Sequence, residues 1–348
     1  MKQWMRETVA FVLILLIAVT GIACFYPEKA VPAEGYITWA GFDVPVEAMQ
    51  KAGQADIDSY QEENHVDWVE SLACLAVQYG GNWKQYRGKD LDGIIQKAKA
   101  GTLPEEQAKS NKKGYTYYEN VYRAVLDGFI GEYQHELIGE DGESTIVSDY
   151  GVKVFSPIAG GYGYNHYDDF GAGRSYGFRR NHLGNDLLGN VGTPIIAVES
   201  GVIEAMGWNE FGGWRIGIRS LDQKRYYYYA HLRSGHPYVF SRSVGDTVQA
   251  GDVIGYLGMT GYSSKEDTNG MTKPHLHFGM ELIFDESQKE SDQEIWINVY
   301  EIVKFLSKHR SAVCKDEKTG EYVRQSAYYD SSLENSESLC YNEDETSG

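Results

Sequence analysis

Apolar residues follow three different patterns along the chain. The first is an uncharged run from Thr8 to Tyr26, preceded by Lys2 and Arg6. At roughly 19 residues it is long enough to cross a bilayer, and longer than the ~7–15 residues of a cleaved signal core. Positive charge ahead of the span keeps the amino end in the cytoplasm and sends the bulk of the chain outside. The expectation is a transmembrane helix over residues 1–26. This single-pass anchor would hold the protein in the cell membrane with its bulk on the extracytoplasmic side, facing the cell wall. Gly21 and Ala23 ahead of Cys24 make cleavage or lipidation the second outcome. Residues 27–43, with Pro and Gly, read as a linker.

The second pattern has helical period. Trp68, Leu72, Leu75, Ala76 and Tyr79 form a stripe that stops at Gly80-Gly81. Leu91, Ile94, Ile95 and Ala98 form another, and Tyr118, Val121, Tyr122, Val125 and Phe129 a third. Helix is predicted as far as residue 138, followed by Gly- and Ser-containing sequence to 149. Residues 44–149 are thus expected to be a small helical domain. Its stripes are core positions and carry no chemistry; a protein partner could dock on it.

The third pattern is short runs broken by turns. Residues 194–198, 201–206, 214–218, 225–230 and 253–257 read as strands, separated by turns such as Gly212-Gly213 and Gly251-Asp252. A helix begins near Asn298, where Asn298 and Glu301 make a capping-box pattern. The expectation for 150–310 is a compact antiparallel all-β domain with a C-terminal helix, and for the whole chain an α+β class. Residues 311–348 are acidic, Ser-rich and poor in aliphatics, the composition of a disordered tail.

The chain has 348 residues and a formal net charge of −18, which excludes nucleic acid as a partner because nothing could neutralise a run of phosphates. Four cysteines without a Cys-x-x-Cys argue against thiol chemistry or a Cys-ligated metal. Cys314 and Cys340 could pair outside the cell.

The chemistry gathers on histidines. His275 and His277 are two apart in Pro274-His275-Leu276-His277-Phe278, so on a strand both imidazoles share one face. His182-Leu183-Gly184-Asn185-Asp186 supplies a His and an Asp that a turn at Gly184 could bring onto one ion. With His277 they make three donors of the type zinc accepts, leaving a fourth position open. His231 and His275 remain as proton carriers, a role that suits imidazole. No His-Glu-x-x-His occurs, so a Glu base is absent.

His182-x-x-x-Asp186, Tyr229-Ala230-His231-Leu232 and Pro274-His275-Leu276-His277-Phe278 match in order the three signature segments of the lysostaphin-type (LytM-like) zinc metallo-endopeptidases. Val244–Gly255 is similar to that family's Gly-Asp turn pair, and the likeness covers roughly 150–285. The resemblance implies a β-domain with its site in a groove, one zinc ion held by His182, Asp186 and His277, and His231 with His275 as the catalytic pair. It implies cleavage of peptide stems or cross-bridges in bacterial peptidoglycan during cell-wall remodelling. The alternative is a non-catalytic member that binds peptidoglycan or an envelope partner through the same scaffold; bound zinc separates the two. One departure is the polar insertion Ser264–Lys273 before Pro274, expected to lengthen a groove wall. The other is the Tyr-rich lead-in 162–169, read as a surface loop, with His166, Asp168 and Asp169 not taken as ligands.

Overall fold

The computed structural model describes residues 37–333, apart from 104, 140 and 241. The expected membrane helix over 1–26 lies outside the described residues, as does Cys340. Among the described residues no helix is long and apolar enough to cross a membrane.

Four helices come first: α1 (Val46–Asp58), α2 (Trp68–Tyr79), α3 (Gly88–Lys99) and α4 (Glu105–Leu126), the last broken at Asn111. The ends of α2 follow its sequence. The Asp67 carboxylate accepts the Glu70 N–H, and Gly80 closes the helix at a left-handed φ of 57°. Two long strands follow, β1 (Ile130–Ile138) and β2 (Ser144–Val152), paired antiparallel along their whole length.

These strands correct the helical expectation for 130–138 and replace the irregular stretch expected as far as 149. The β-branched run Thr145-Ile146-Val147 suits a strand, and Gly128 at φ 122° lies between the end of α4 and β1. The residues around Phe129 that read as helical period are buried where the chain turns into β1. Nor do the helices have a core of their own. A single cluster of buried residues runs from Ala40 through α1–α4 and the β-region to Leu306.

The next strands are β3 (Asn165–His166), β4 (Gly173–Arg174), β5 (Arg180–Asn181), β6 (Asn185–Leu188) and β7 (Pro194–Ile196). Then come β8 (Gly201–Asn209), β9 (Gly213–Ser220), β10 (Arg225–Ala230), β11 (Thr247–Val248), β12 (Val253–Tyr256), β13 (His275–Leu282) and β14 (Ile295–Ile297). The main sheet is antiparallel in the order β11-β8-β9-β10-β13-β6-β3, with β14 added on β13. One face meets the core through Ile216, Ile218, Tyr227, Tyr229, Leu276 and Phe278. The other face carries the site, as the two-residue period requires.

Arg225 ties the helices to the sheet. Its side chain is fully buried, donates twice to Glu199 (2.8 and 2.9 Å), and reaches the Ala124 carbonyl near the end of α4 (2.9 Å). Tyr227 donates to the same carboxylate at 2.6 Å. Removing one partner from such a buried pair costs about 3–5 kcal/mol, because the other charge stays behind unpaired.

The last helix, α5 (Tyr300–Leu306), does not use the expected capping box. The Asn298 side chain accepts the Tyr300 N–H, while the Glu301 carboxylate accepts the Val46 N–H at 2.8 Å and so caps α1. A carboxylate at a helix amino end is favoured wherever it comes from.

The expected disordered tail is corrected in its first part. Residues 313–315, 322–324 and 328–330 form β15, β16 and β17 (Val313–Lys315, Tyr322–Arg324, Tyr328–Asp330). β15 pairs with β16, and β17 joins the edge of β1. Its polar groups are satisfied by specific partners rather than by water. Asp330 takes the buried Lys153 ammonium at 3.0 Å, Arg324 meets Asp252 at 2.8 Å, and Glu321 meets His236 at 2.7 Å. Tail composition fails as a guide because sparse aromatics, Tyr322 and Tyr328, each find a ready hydrophobic seat.

Candidate metal centre

β13 and β6 build the centre by register. His277 lies directly opposite Asp186, and Ala230 of β10 lies on its other side. The third donor arrives from the turn between β5 and β6. There the His182 N–H bonds the Ala172 carbonyl and the His182 carbonyl takes the Gly171 N–H, at 2.9 and 2.8 Å. The result is a tight triangle. His182 Nε2 is 2.7 Å from His277 Nδ1 and 3.0 Å from Asp186 Oδ1, and His277 Nδ1 is 3.4 Å from Asp186 Oδ1.

Gly184 makes the triangle possible through lack of bulk. A Cβ there would sit 2.6 Å from the Phe278 carbonyl oxygen and 2.9 Å from His277 Nε2. The sequence suggests a flexible turn; the structure shows a close approach of backbone to a donor ring. Gly184→Ala is expected to push His277 off the triangle and lower zinc affinity by roughly 10–100-fold, the scale of disturbed ligand support. Zinc content after dialysis against a graded chelator checks this.

The donors fit a cation. His182 Nδ1 faces the Asp169 backbone oxygen (3.1 Å) and carboxylate (3.2 Å). Both can only accept, so Nδ1 carries a proton and Nε2 is the nitrogen turned toward the centre of the triangle. Arg174 donates to Asp169 at 2.8 Å and to Asp186 Oδ2 at 3.1 Å. Asp186 Oδ1 is left buried with no hydrogen-bond partner, although His182 Nε2 is near. Three metal-type donor atoms thus converge in a triangle that one zinc ion with ~2.0–2.2 Å bonds can span.

The electrostatics agree. Burial alone would raise the Asp186 carboxyl, but contacts with His182 and His277 and the neighbouring His275 hold it well below the usual carboxylate range. Burial would lower His182, yet Asp169 and Asp186 on either side push it up to about 9. The two shifts are one interaction seen from both sides: the carboxylates and the imidazoles stabilise each other's charge.

His231 and His275 stand beside the triangle, their ring centres 4.7 Å apart. His231 Nδ1 lies 2.8 Å from the Thr260 carbonyl and His275 Nδ1 lies 2.9 Å from the Lys273 carbonyl. Each Nδ1 must donate, which leaves each Nε2 as an acceptor. Burial, then the neighbouring His275 and His277, press the His231 pKa well below the ordinary imidazole value, so this ring is neutral at pH 7. His231 also holds a left-handed φ of 62°, with its N–H on the Gly212 carbonyl at 2.7 Å. A non-glycine residue in this region is costly and marks a position fixed by its surroundings.

A cavity of about 330 Å³ opens over these residues, walled by Arg180, Phe211, Tyr262 and Met271. Met271 belongs to the inserted loop 264–273, which does lengthen the wall. Its Asp267 accepts from the Trp214 indole at 2.8 Å and anchors the loop to β9.

All five residues singled out in the sequence, His182, Asp186, His231, His275 and His277, come together here. Two partners escaped sequence reasoning, Asp169 and Arg174. Asp169 lies in a loop and Arg174 in the two-residue β4, too short for any period to show, and only the folded path of the chain brings them to His182. Within the lead-in, His166 instead packs on Tyr300 and Asp168 accepts from Asn298.

A His/Asp/His cluster with two more histidines beside it, set in a groove across an antiparallel sheet, has the donor set of a metal centre. Residues 180–291 match the model of Peptidase family M23, and the three donors His182, Asp186 and His277 of the triangle lie within that segment. The chain is 41% identical over 135 residues to the L-Ala–D-Glu endopeptidase of Bacillus subtilis, covering 38% of this chain and 39% of that protein. It is 41% identical over 132 residues to a glycyl-glycine endopeptidase of Staphylococcus capitis, covering 38% and 31%. The chain thus spans well under half the length of these relatives. A crystal structure from Ruminococcus gnavus, named for the glycyl-glycine endopeptidase lytM, superposes with a TM-score of 0.51 at 24% identity. It covers 81% of this chain and 95% of that one, a likeness of fold alone.

Proposed function

We propose that the protein is a zinc-dependent endopeptidase that cleaves peptide stems or cross-bridges of bacterial peptidoglycan, outside the membrane and anchored by residues 1–26. The observation that carries the catalytic reading is the unpartnered Asp186 Oδ1 converging with one ring nitrogen each of His182 and His277, with His231 and His275 alongside. The activities for which the relatives are named support the substrate class.

His182, Asp186 and His277 would hold the ion. Zinc in such a site polarises a peptide carbonyl and lowers the pKa of water. His231 Nε2 is placed to take a proton from an attacking water and to return it to the leaving amine. His275, with its proton fixed toward Lys273, offers a second acceptor nitrogen 3.7 Å from Asp186 Oδ1 and so sits at the edge of the reacting zone. The aromatic wall of Phe211 and Tyr262 restricts water on that side and gives an extended peptide a surface to lie on.

The test is digestion of purified peptidoglycan by the full chain, with released fragments sized by mass spectrometry. Soluble peptide fragments should appear with zinc, vanish on chelation and return on zinc repletion. Zinc-replete protein that releases nothing overturns the reading.

A further inference from the structure

A second cavity, of about 350 Å³, opens off the metal groove and shares Leu183, Tyr228 and His277 with it. Its floor is the open face of β8, β9, β10 and the far end of β13, and its outer wall is the segment 289–296. Four carboxylates face it, those of Glu204, Glu281, Glu290 and Glu294, against the cations of Arg215 and Lys289.

These carboxylates are not equally engaged. Glu204 is paired with Lys289 at 2.8 Å and Arg219 at 3.2 Å. Glu294 accepts from the Trp296 indole at 2.8 Å. Glu281 is only 4% exposed, sits opposite Tyr226 in the sheet, and has a carboxyl oxygen, Oε1, with no hydrogen-bond partner. A native fold rarely buries such an oxygen without a use for it. Burial, then the nearby Glu294, pushes this carboxyl up to about 8 even with Arg219 and Lys289 close by, so it is short of positive charge.

The walls narrow the choice of cation. Among the described residues the one cluster of three metal-type donors is the His182, Asp186 and His277 triangle, so a second divalent ion has no seat here. Tyr226, Tyr228 and Trp296 instead give apolar faces of the kind that hold methylene groups. The Lys289 ammonium already lies 5.9 Å from the Tyr226 ring, an alkylammonium on such a wall.

We infer that this cavity is a substrate subsite that takes the side-chain ammonium group of a diamino residue in the peptide, with Glu281 as its counter-charge. The inference rests on the endopeptidase reading above. Because the cavity adjoins His277, the amine-bearing residue would lie within a short stretch of peptide from the bond being cut.

The test measures binding, so that it stands apart from cleavage. Sugar-linked stem peptides, whose amino ends are blocked by the sugar, are used with the side-chain amine either free or acetylated. They are titrated by calorimetry into the zinc-replete full chain carrying His231→Asn. The free-amine form should bind roughly tenfold or more tightly than the acetylated form, the scale of one charge-assisted hydrogen bond. Glu281→Gln added to that protein should weaken the free-amine form to the level of the acetylated one. Equal binding of the two peptides, no binding of either, or an unchanged preference in the Glu281→Gln protein overturns the subsite. Peptidoglycan digestion by the unaltered protein is scored separately. Digestion with equal binding removes only the subsite, whereas amine-dependent binding without digestion removes only the hydrolase reading.

Discussion

His277→Ala protein is expected to purify with zinc far below one equivalent and to lose peptidoglycan cleavage by on the order of 10³-fold or more. The reason lies in the sheet. His277 is held in the middle of the sheet, by Ala230 across one register and Asp186 across the other. Deleting it removes a bond to the ion and also leaves the Asp186 carboxylate with His182 as its one neighbouring donor ring in the triangle. Elemental analysis reads the metal, and thermal melting with and without added zinc shows whether the fold survives. Full zinc occupancy in this variant would remove His277 from the site.

His231→Asn is expected to behave oppositely, retaining zinc while cleavage falls by roughly 10²–10⁴-fold, the usual contribution of a positioned general base. Asparagine is chosen because position 231 has φ 62°, which asparagine accepts more readily than alanine. Its amide can keep a bond to the Thr260 carbonyl that His231 Nδ1 now makes, but offers no nitrogen able to take up a proton. Zinc content near that of the unaltered protein, an unchanged melting temperature and a lower kcat together make the case. A matching loss of zinc would make His231 a support of the metal rather than a proton carrier.

How much of this was legible in the residues depends on the kind of order involved. The two-residue period of a strand is local, so Pro274-His275-Leu276-His277-Phe278 announced that two imidazoles share a face. Its structural outcome is Leu276 buried and both rings in the groove. Asp186 and His182 were visible as a short, glycine-bearing turn. Asp169 and Arg174 were not, because loop residues come together through the path of the chain and not through spacing. Glu281 was hidden for a related reason. Its spacing from His277 places it on the same strand face, but nothing in the sequence shows that its carboxyl lacks a partner. The β1–β2 hairpin and the strands of 313–330 were missed because composition averages over a segment. Lys153 with Asp330, and Glu321 with His236, are individual bargains between distant residues.

The cap on α1 sets an order of events during synthesis. Val46 waits for Glu301, which is 255 positions downstream, and Trp68 of α2 stacks on Phe305 at 5.9 Å. The helical segment leaves the ribosome first, yet its last partners leave near the end. Native contacts of such long reach carry a large loop-closure cost and slow folding. The native cap of α1 and the outer packing of α2 are therefore complete only once the β-region has closed behind them.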